Sequence, residues 1–399
     1  MKYDFSTVIS REGTGSLAVE QIPIPGVQVR TGFSKIPMWI ADMSFATVPS
    51  IPRAIAQRLE HPLFGYFLPE QDYFDSVIRW QCTRNGVSEL AREHIAYENG
   101  VMGGVLNALN VLCSRGDPIL IHAPTYTGFT SNLKNNGYRI IHSQLVQDGQ
   151  GVWRMDFDDM DRKLKEHKIH AAIFCSPHNP CGRVWEPWEV ARAMEIYRDN
   201  NVMVVADEIW SDILMPGHRH TPTQSVSEDA RQRTVALYAP SKTFNLAGLV
   251  GAYRIVYNPL LRDRLNRESA LTHYNSMNLL SMHALIGAYS PEGEAWLEEL
   301  RQVLAENIDC AHHYISTRFQ GVSAAKPQGT YMLFLDCTQW CAQHKKTLDE
   351  LLRAGVEVGV IWQDGRAFHG PCHIRMNLAL PTSLLKEALN RLDQYVFHP

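Results

Sequence analysis

Short apolar runs without strict alternation constrain the fold of this chain more than any other feature. Five of them occupy residues 119–122, 171–175, 202–206, 234–238 and 252–257. Such runs are typical of strands buried on both faces of a mostly parallel sheet. Amphipathic stretches separate several of the runs, and the stretch at 186–200 has Pro187 near its first turn, where proline favours a helix start. The pattern predicts a large α/β domain whose mostly parallel sheet is sandwiched by helices.

The two ends of the chain depart from this pattern. Residues 1–45 are rich in Gly and Pro and show little helical periodicity, so we expect an arm that packs against another part of the protein. A long helical pattern at 291–318 is followed by strand-like and helical segments, which predict a smaller α+β domain. We predict an N-terminal arm or small-domain segment at 1–45, a large domain at 46–285 and a small C-terminal domain at 286–399.

Composition excludes several classes of function. The 399 residues carry a net charge of −4, with 45% hydrophobic and 20% charged residues, as in an ordinary soluble globular protein. No long Lys/Arg run suggests binding to nucleic acid or a membrane surface. The sequence shows neither a signal peptide nor an apolar run of membrane-spanning length, so we predict a cytoplasmic protein. Scattered cysteines without a CxxC pair predict reduced, mostly buried thiols and no metal site.

Three polar residues stand where a doubly wound sheet binds its ligand. Lys242, Asp207 and Asn179 each lie at or shortly beyond the end of an apolar run, and ligands bind at the carboxyl ends of such strands. A lysine there can form a Schiff base with a carbonyl cofactor if its surroundings keep part of it neutral. An aspartate can pair with a protonated pyridine nitrogen, and an asparagine amide can donate to the phenolic oxygen of the ring.

Each of these residues also has a structural interpretation. Most lysines are solvated surface charges, an Asp-Glu pair after a strand can cap the next helix, and Asn-Pro favours a turn. Any one of these residues alone is more often structural. The ordered set of three, each at a strand end, favours the cofactor site.

A phosphate site is expected beside such a cofactor. A glycine-rich run around Gly100, Val101 and Met102 precedes a helical pattern. Backbone N–H groups at a helix start, together with the positive end of the macrodipole, favour an anion, and Ser241 and Thr243 can add hydroxyl groups. Because the run is neither a GxGxxG nor a Walker sequence, an ordinary glycine-rich turn is the alternative.

Two more residues are candidates for contacts with the ring and the substrate. Tyr126 follows another strand-like run, and its ring can stack on a planar cofactor, although a core tyrosine is equally common. Arg375 is the only arginine in the strand-like run 373–377. A buried arginine needs an anionic partner, and its planar fork suits a substrate carboxylate. A structural salt bridge is the alternative, and the sequence leaves both open.

Four motifs complete the pattern: Ser-Pro-His-Asn-Pro at 176–180, Asp-Glu-Ile at 207–209, Ser-Lys-Thr-Phe-Asn-Leu-Ala-Gly at 241–248 and Arg-Met-Asn-Leu-Ala at 375–379. Together they resemble the fold-type I pyridoxal-phosphate enzymes, the aspartate aminotransferase superfamily. Three more runs are Pro-Met-Trp-Ile-Ala-Asp-Met at 37–43, Phe-Gly-Tyr at 64–66 and His-Asn-Pro-Cys-Gly-Arg-Val-Trp at 178–185. They resemble the MalY/PatB-type cystathionine β-lyases, the cysteine C–S lyase group of the class I/II aminotransferase superfamily. The resemblance covers nearly the whole chain.

The resemblance implies a pyridoxal 5'-phosphate enzyme that forms a homodimer with its active site at the subunit interface. Tyr66 is expected to reach the phosphate or the substrate in the neighbouring subunit, and Ile40 and Ala41 are expected to contact the substrate. The remaining roles follow the motifs: Lys242 as the Schiff-base lysine, Asp207 as the partner of the pyridine nitrogen, Asn179 as the donor to the ring oxygen, Tyr126 as the stacking ring, Arg375 as the clamp for the α-carboxylate.

Three positions depart from the family's pattern. Val250 stands where many aminotransferases have a phosphate-binding arginine, so phosphate binding is expected from backbone N–H groups, Ser241 and Tyr66. Trp210 replaces the tyrosine of aminotransferases and the histidine usual in the lyase group, and it offers at most one N–H donor. Ser44 replaces the last acid of the sequence Ala-Asp-Met-Asp that is frequent in the lyase group.

The activity that the resemblance implies is α,β-elimination from a cystathionine- or cysteine-type amino acid, which yields pyruvate, ammonia and a thiol. Lys242 would take the Cα proton while the cofactor holds the resulting charge. An aminotransferase that uses an amino acid and a keto acid is the alternative. A regulatory binding protein on the same fold is a third hypothesis, disfavoured because no DNA-binding motif or basic patch is present and the site residues are intact.

Overall fold

The structure, a computed structural model, describes residues 1–398. Its strands have these bounds: β1 Ile36–Pro37, β2 Ile95–Glu98, β3 Pro118–Ala123, β4 Arg139–Gln147, β5 Trp153–Met155, β6 Ala171–Cys175, β7 Met203–Asp207, β8 Thr234–Tyr238, β9 Ala252–Ile255, β10 Ser323–Ala324, β11 Met332–Asp336, β12 Val360–Ile361, β13 Gln363–Asp364, β14 His373–Asn377.

The α-helices have these bounds: α1 Leu17–Glu20, α2 Ser50–Leu59, α3 Gln71–Asn85, α4 Val101–Leu112, α5 Thr127–Asn135, α6 Phe157–His167, α7 Pro187–Asp199, α8 Glu228–Arg233, α9 Pro259–Thr272, α10 Leu279–Ala288, α11 Pro291–Arg318, α12 Thr338–His344, α13 Leu348–Glu357, α14 Thr382–Leu392. Short 3₁₀ helices cover Arg92–His94, Thr223–Ser225, Ala247–Leu249 and Gly365–Phe368, and a π-helical turn covers Asp393–Phe397.

The central sheet has eight strands in the order β2-β9-β8-β7-β6-β3-β4-β5. The strands from β8 to β4 are parallel, whereas the pairs β2–β9, β9–β8 and β4–β5 are antiparallel. Alternate residues of β6 belong to different cores, since Ala172 and Phe174 pack in one and Ile173 and Cys175 in the other. Both faces of the sheet are therefore covered, as parallel sheets require. The predicted α/β fold class is confirmed.

A second, antiparallel sheet has the strand order β10-β11-β14-β13. In the N-terminal arm, β1 pairs in parallel with β12, so Ile36 lies beside Val360 and Pro37 beside Ile361. The arm also contains the short helix α1, which its sequence did not predict. The arm therefore packs on the C-terminal part of the chain, while the division into domains at residues 46 and 286 stays a prediction.

Local sequence explains where several helices begin. The helix α7 starts at Pro187, and the Glu189 side chain accepts from the Glu186 amide at 2.8 Å. The helix α11 follows Ser290, whose hydroxyl accepts from the Gly293 amide at 3.1 Å. These contacts satisfy N–H groups that have no partner within the first helical turn. No helix of residues 1–398 is both long and apolar enough to span a membrane.

The carboxyl ends of β6, β7 and β8 lie side by side. In the register of the sheet, Cys175 pairs with Asp207, and Asp207 pairs with Leu237. Residues that follow these strands, including Asn179 and Lys242, are therefore delivered to one edge of the sheet, where doubly wound folds bind their ligands.

Candidate active site

A cavity of about 320 Å³ lies at this edge of the sheet. Trp210 and Val250 contribute to its wall. Residues from the predicted site also line it: Ala41, Gly100, Val101, Met102, Tyr126, Asn179, Asp207, Ser241, Lys242. A larger cavity of about 680 Å³ lies between the β4–β5 hairpin and α11, and its lining in the described chain contains none of the predicted site residues. The predicted chemistry therefore converges on the smaller cavity.

Lys242 follows β8, and its amine is enclosed at the cavity wall. The Nζ atom donates to the carbonyl oxygen of Ala41 at 2.8 Å. Burial and the positive charge of Arg375 lower the pKa of Lys242 to about 8, although Asp42 and Asp207 oppose this shift. With that pKa, roughly a tenth of the amine is neutral at pH 7. The site thus keeps part of Lys242 in the form that can act as a nucleophile or a base.

Asp207 is the last residue of β7, and its carboxylate is buried. The Oδ1 atom accepts from the Ile209 amide at 3.1 Å. The adjacent Glu208 is paired with His220, whereas Asp207 forms no salt bridge within residues 1–398. Burial raises the pKa of Asp207 to about 7, and the Ile209 amide and the charge of Lys242 offset only part of this rise. A cationic group against the carboxylate would favour its ionised form.

Arg375 lies on β14, and its side chain is buried. Its Nη2 atom donates to the Trp39 carbonyl oxygen at 2.8 Å and to Gln363 Oε1 at 2.5 Å, and Nη1 donates to Asn179 Oδ1 at 3.2 Å. Its Nε atom has no partner in the described chain, so two of the five N–H donors of the fork remain for a ligand. Burial lowers the pKa of Arg375 to about 10. The salt bridge that the sequence left open is absent among residues 1–398.

The segment 39–43 runs along the cavity and is bound from two sides. On β14, Asn377 donates from Nδ2 to the carbonyl oxygens of Ile40 at 2.7 Å and Asp42 at 2.5 Å. Beyond β8, the Asn245 side chain accepts from the amide of the segment's last residue at 3.0 Å and donates to its carbonyl oxygen at 2.9 Å. Sequence reasoning missed both asparagines as site residues, although each lies inside a motif that it singled out.

The start of α4 forms one end of the cavity. Gly100 precedes the helix with φ +81°, and a Cβ atom there would lie 3.7 Å from Val250. The amides of Val101 and Met102 are in the first turn, where they have no acceptor within the helix. Ser241 lines the same cavity. Thr243 does not, because it is buried and its hydroxyl donates to Asp212 Oδ2 at 2.9 Å.

Aromatic and amide groups complete the wall. Tyr126 directly precedes α5, and its ring meets the edge of Phe129 at 5.5 Å between centroids. The Asn179 side chain accepts from Arg375 through Oδ1, which directs its NH₂ group elsewhere. Trp210 is buried edge-to-face against Tyr331, with 4.7 Å between ring centroids, and the Lys242 amine lies 5.8 Å from the centre of its ring.

Three predicted site residues are absent from the described lining of this cavity: Ile40, Tyr66 and Arg375, the last of which contacts the lining residue Asn179. Ile40 contributes its carbonyl oxygen to Asn377, and its side chain is not part of the described lining. Tyr66 is fully exposed and lies in a separate groove of about 790 Å³, which the apolar residues Phe64 and Phe67 also line. Within one chain, Tyr66 therefore lies outside the candidate active site.

This combination of a doubly wound sheet, a lysine beyond β8, an aspartate at the end of β7 and a buried arginine on the small antiparallel sheet defines one class of protein. Residues 35–392 match the family model described as aminotransferase class I and II, and the chain belongs to this family.

Individual relatives narrow the comparison. The cystathionine β-lyase PatB of Bacillus subtilis (strain 168) is 32% identical over 360 residues, which cover 90% of this chain and 91% of PatB. The structure of cystalysin from Treponema denticola, which contains a pyridoxal 5'-phosphate cofactor, has a TM-score of 0.90 and 30% identity and covers 99% of this chain and 98% of cystalysin. The pyridoxal-phosphate-bound C–S lyase from Staphylococcus hominis has a TM-score of 0.88 and 28% identity, with 98% of both chains covered. The resemblance to this lyase group is confirmed.

Proposed function

We propose that this protein is a pyridoxal-phosphate-dependent C–S β-lyase that cleaves cystathionine- or cysteine-type amino acids to pyruvate, ammonia and a thiol. One observation carries the proposal: the partly neutral amine of Lys242 and the buried carboxylate of Asp207 share a cavity beside the guanidinium of Arg375. The names of PatB and of the Staphylococcus hominis enzyme support the same reaction class.

The residues of the cavity fit pyridoxal 5'-phosphate. Asp207, which forms no salt bridge in the described chain, can hold a protonated pyridine nitrogen. The first-turn amides of α4 and the hydroxyl of Ser241 can hold the phosphate without an arginine at position 250. Tyr126 can stack on the ring, and the NH₂ group of Asn179 can donate to its phenolic oxygen.

When bound, the cofactor supplies an aldehyde that captures the substrate's amino group and a ring that stabilises negative charge at Cα. Arg375 binds the α-carboxylate through its positive charge and its free Nε–H, and this pairing fixes the direction of the Cα–H bond. The neutral amine of Lys242 removes the Cα proton. The resulting ammonium can then protonate the sulfur as it leaves Cβ.

A homodimer is part of the proposal. The exposed side chains of Leu63, Phe64, Tyr66 and Leu68 form an apolar strip beside the 790 Å³ groove, and exposed apolar patches of this kind mark interfaces. Tyr66 from one copy can then complete the cavity of the other. The Tyr66 hydroxyl would add a polar group from the second copy to those that already line the cavity.

Product analysis tests the reaction. The purified protein with pyridoxal 5'-phosphate is given cystathionine or cysteine, with and without a keto-acid acceptor. We expect pyruvate and ammonia without the acceptor and no product from the Lys242→Ala variant. Lys163→Ala is a matched control, because Lys163 is partly buried and bound to Asp159 away from the cavity. Turnover that depends on the acceptor would identify an aminotransferase instead.

A further inference from the structure

The segment 39–43 touches both cationic groups of the candidate active site. The Ala41 carbonyl oxygen accepts from Lys242 Nζ at 2.8 Å, and the Trp39 carbonyl oxygen accepts from Arg375 Nη2 at 2.8 Å. These two cations come from different sheets, since Arg375 is on β14 and Lys242 follows β8. A shift of this segment would therefore change the positions of the Lys242 amine and the Arg375 guanidinium at once.

Arg11, near the start of the N-terminal arm, holds this segment in place. Its Nη1 and Nη2 atoms donate to Asp42 Oδ1 at 3.0 Å and Oδ2 at 2.5 Å, a two-point pairing. Its Nε atom donates to Ser16 Oγ at 3.0 Å, which orients the guanidinium. The side chains of Arg11 and Asp42 are only 18% and 22% exposed, so solvent screens this pair less than an ion pair on the surface.

A second contact from the arm reinforces the first. The Trp39 indole Nε1 donates to the Ala18 carbonyl oxygen at 3.0 Å. The first part of the arm, through Arg11 and Ala18, therefore binds the segment at both Asp42 and Trp39, on either side of the carbonyl group that binds Lys242. Neither residue of the Arg11–Asp42 pair lines the cavity in the described chain, so the pair acts through the segment and not by contact with a ligand.

We propose that Arg11 and Asp42 are positioning residues, which hold the segment 39–43 against Lys242 and Arg375. The proposal rests on the proposed function for its consequence in catalysis, while the positioning itself is a property of the chain. It gives the N-terminal arm an indirect part in the reaction, through the segment that contacts Lys242 and Arg375.

The pKa of Lys242 provides a readout that a merely structural role of Arg11 and Asp42 would not change. Asp42 favours the charged form of Lys242, together with Asp207, whereas burial and Arg375 favour the neutral form. The Arg11 guanidinium compensates the charge of Asp42. Removing Arg11 should therefore raise the pKa of Lys242, and removing the charge of Asp42 should lower it.

The test uses Arg11→Met, Asp42→Asn and the double variant. Arg30→Met is the matched control, because Arg30 is an exposed arginine of the same arm that lies over the Phe33 ring. The pH dependence of Lys242 labelling by an amine-reactive reagent, followed by peptide mass analysis, is measured on protein without added cofactor. Hydrogen exchange of the Met43 amide, which donates to Asn245, reports the order of the segment.

We expect faster exchange at Met43 in Arg11→Met, and shifts of the labelling midpoint to higher pH in Arg11→Met and to lower pH in Asp42→Asn. In the loaded enzyme, Arg11→Met should lose roughly tenfold or more in kcat/KM, because misplaced groups cost rate steeply, while Arg30→Met stays near the parent. Labelling and exchange unchanged from the parent would overturn the proposal. A parent without C–S lyase activity would overturn the proposed function, and the labelling and exchange data would still decide the positioning role.

Discussion

Arg375→Lys tests the proposed mode of substrate binding most directly. Trp39, Gln363 and Asn179 occupy three of the five N–H donors, and the guanidinium lies 4.3 Å from the centre of the Phe368 ring. The Nε–H has no partner in the described chain, and under the proposed function it binds the substrate's α-carboxylate. A lysine keeps the charge but has a single nitrogen with three donors, so it cannot keep the three contacts and also donate to a carboxylate.

The size of the effect follows from these contacts. A hydrogen bond to a charged group contributes about 1.5–3 kcal/mol, so loss of one carboxylate contact lowers kcat/KM by roughly tenfold to a hundredfold. Burial acts in the same direction. It already lowers the pKa of Arg375 to about 10, and a lysine in the same surroundings starts from an ordinary pKa near 10.4 and becomes partly neutral.

The assay compares two ligand types and two arginines. For Arg375→Lys we expect a large loss with the amino acid and a much smaller loss with a simple amine that lacks the carboxylate, measured by its absorbance change on the bound cofactor. Arg183→Lys is the control, because Arg183 is buried and bound to Glu189 and to the Trp153 carbonyl oxygen. Equal losses for the two ligand types in Arg375→Lys would show that Arg375 is structural and that the carboxylate is held elsewhere.

Four other outcomes are expected. Borohydride reduction and peptide mapping should find the cofactor on Lys242, and an adduct on another lysine would contradict the assignment. The Asp207→Asn variant should keep its cofactor but lose about a hundredfold in turnover. Turnover equal to that of the parent would show that Asp207 serves only as a helix cap. Mixed inactive Tyr66→Phe and Lys242→Ala subunits should regain activity, and no recovery after verified exchange would exclude a shared site. Burial lowers the pKa of His122 to about 4 and of His178 to about 3. The unfolding free energy measured in urea should therefore fall as the pH drops from 6.5 towards 4, by up to about 3 kcal/mol per histidine. An unfolding free energy that stays constant over this pH range would refute the effect of burial.

The interior of the sheet could be predicted because its residues carry an unambiguous pattern. The runs at 171–175 and 234–238 coincide with β6 and β8, which are buried along their whole length. The strand β4 was not predicted, because it lies near the sheet edge and mixes exposed polar residues with apolar ones. The residues at which strands end were predicted less accurately. Asp207 belongs to β7 although the apolar run stops one residue earlier.

Contacts between distant parts of the chain could not be predicted in the same way. No local pattern shows that Arg11 meets Asp42 or that Asn377 binds the backbone of residues 40 and 42, because these contacts depend on how β1 and β14 are brought together by the whole fold. Asn245 adopts φ +58°, which asparagine tolerates better than most residues, yet its partner is 202 residues away. Asn245 and Asn377 lie inside motifs that the sequence analysis singled out, but their partners are known only from the folded chain.

The electrostatics of the site connect these observations. Burial shifts the pKa of Asp207 upwards and those of Lys242 and Arg375 downwards, so each group is pushed towards its neutral form. A ligand with a cationic ring nitrogen against Asp207 and an anionic carboxylate against Arg375 would return both groups to their charged forms. The carboxylate would also offset the charge of Arg375, which is the strongest charge effect that lowers the pKa of Lys242. Under the proposed function, substrate binding would therefore be coupled to the protonation of Lys242, and the charge of Asp42, which is paired with Arg11, acts on the same equilibrium.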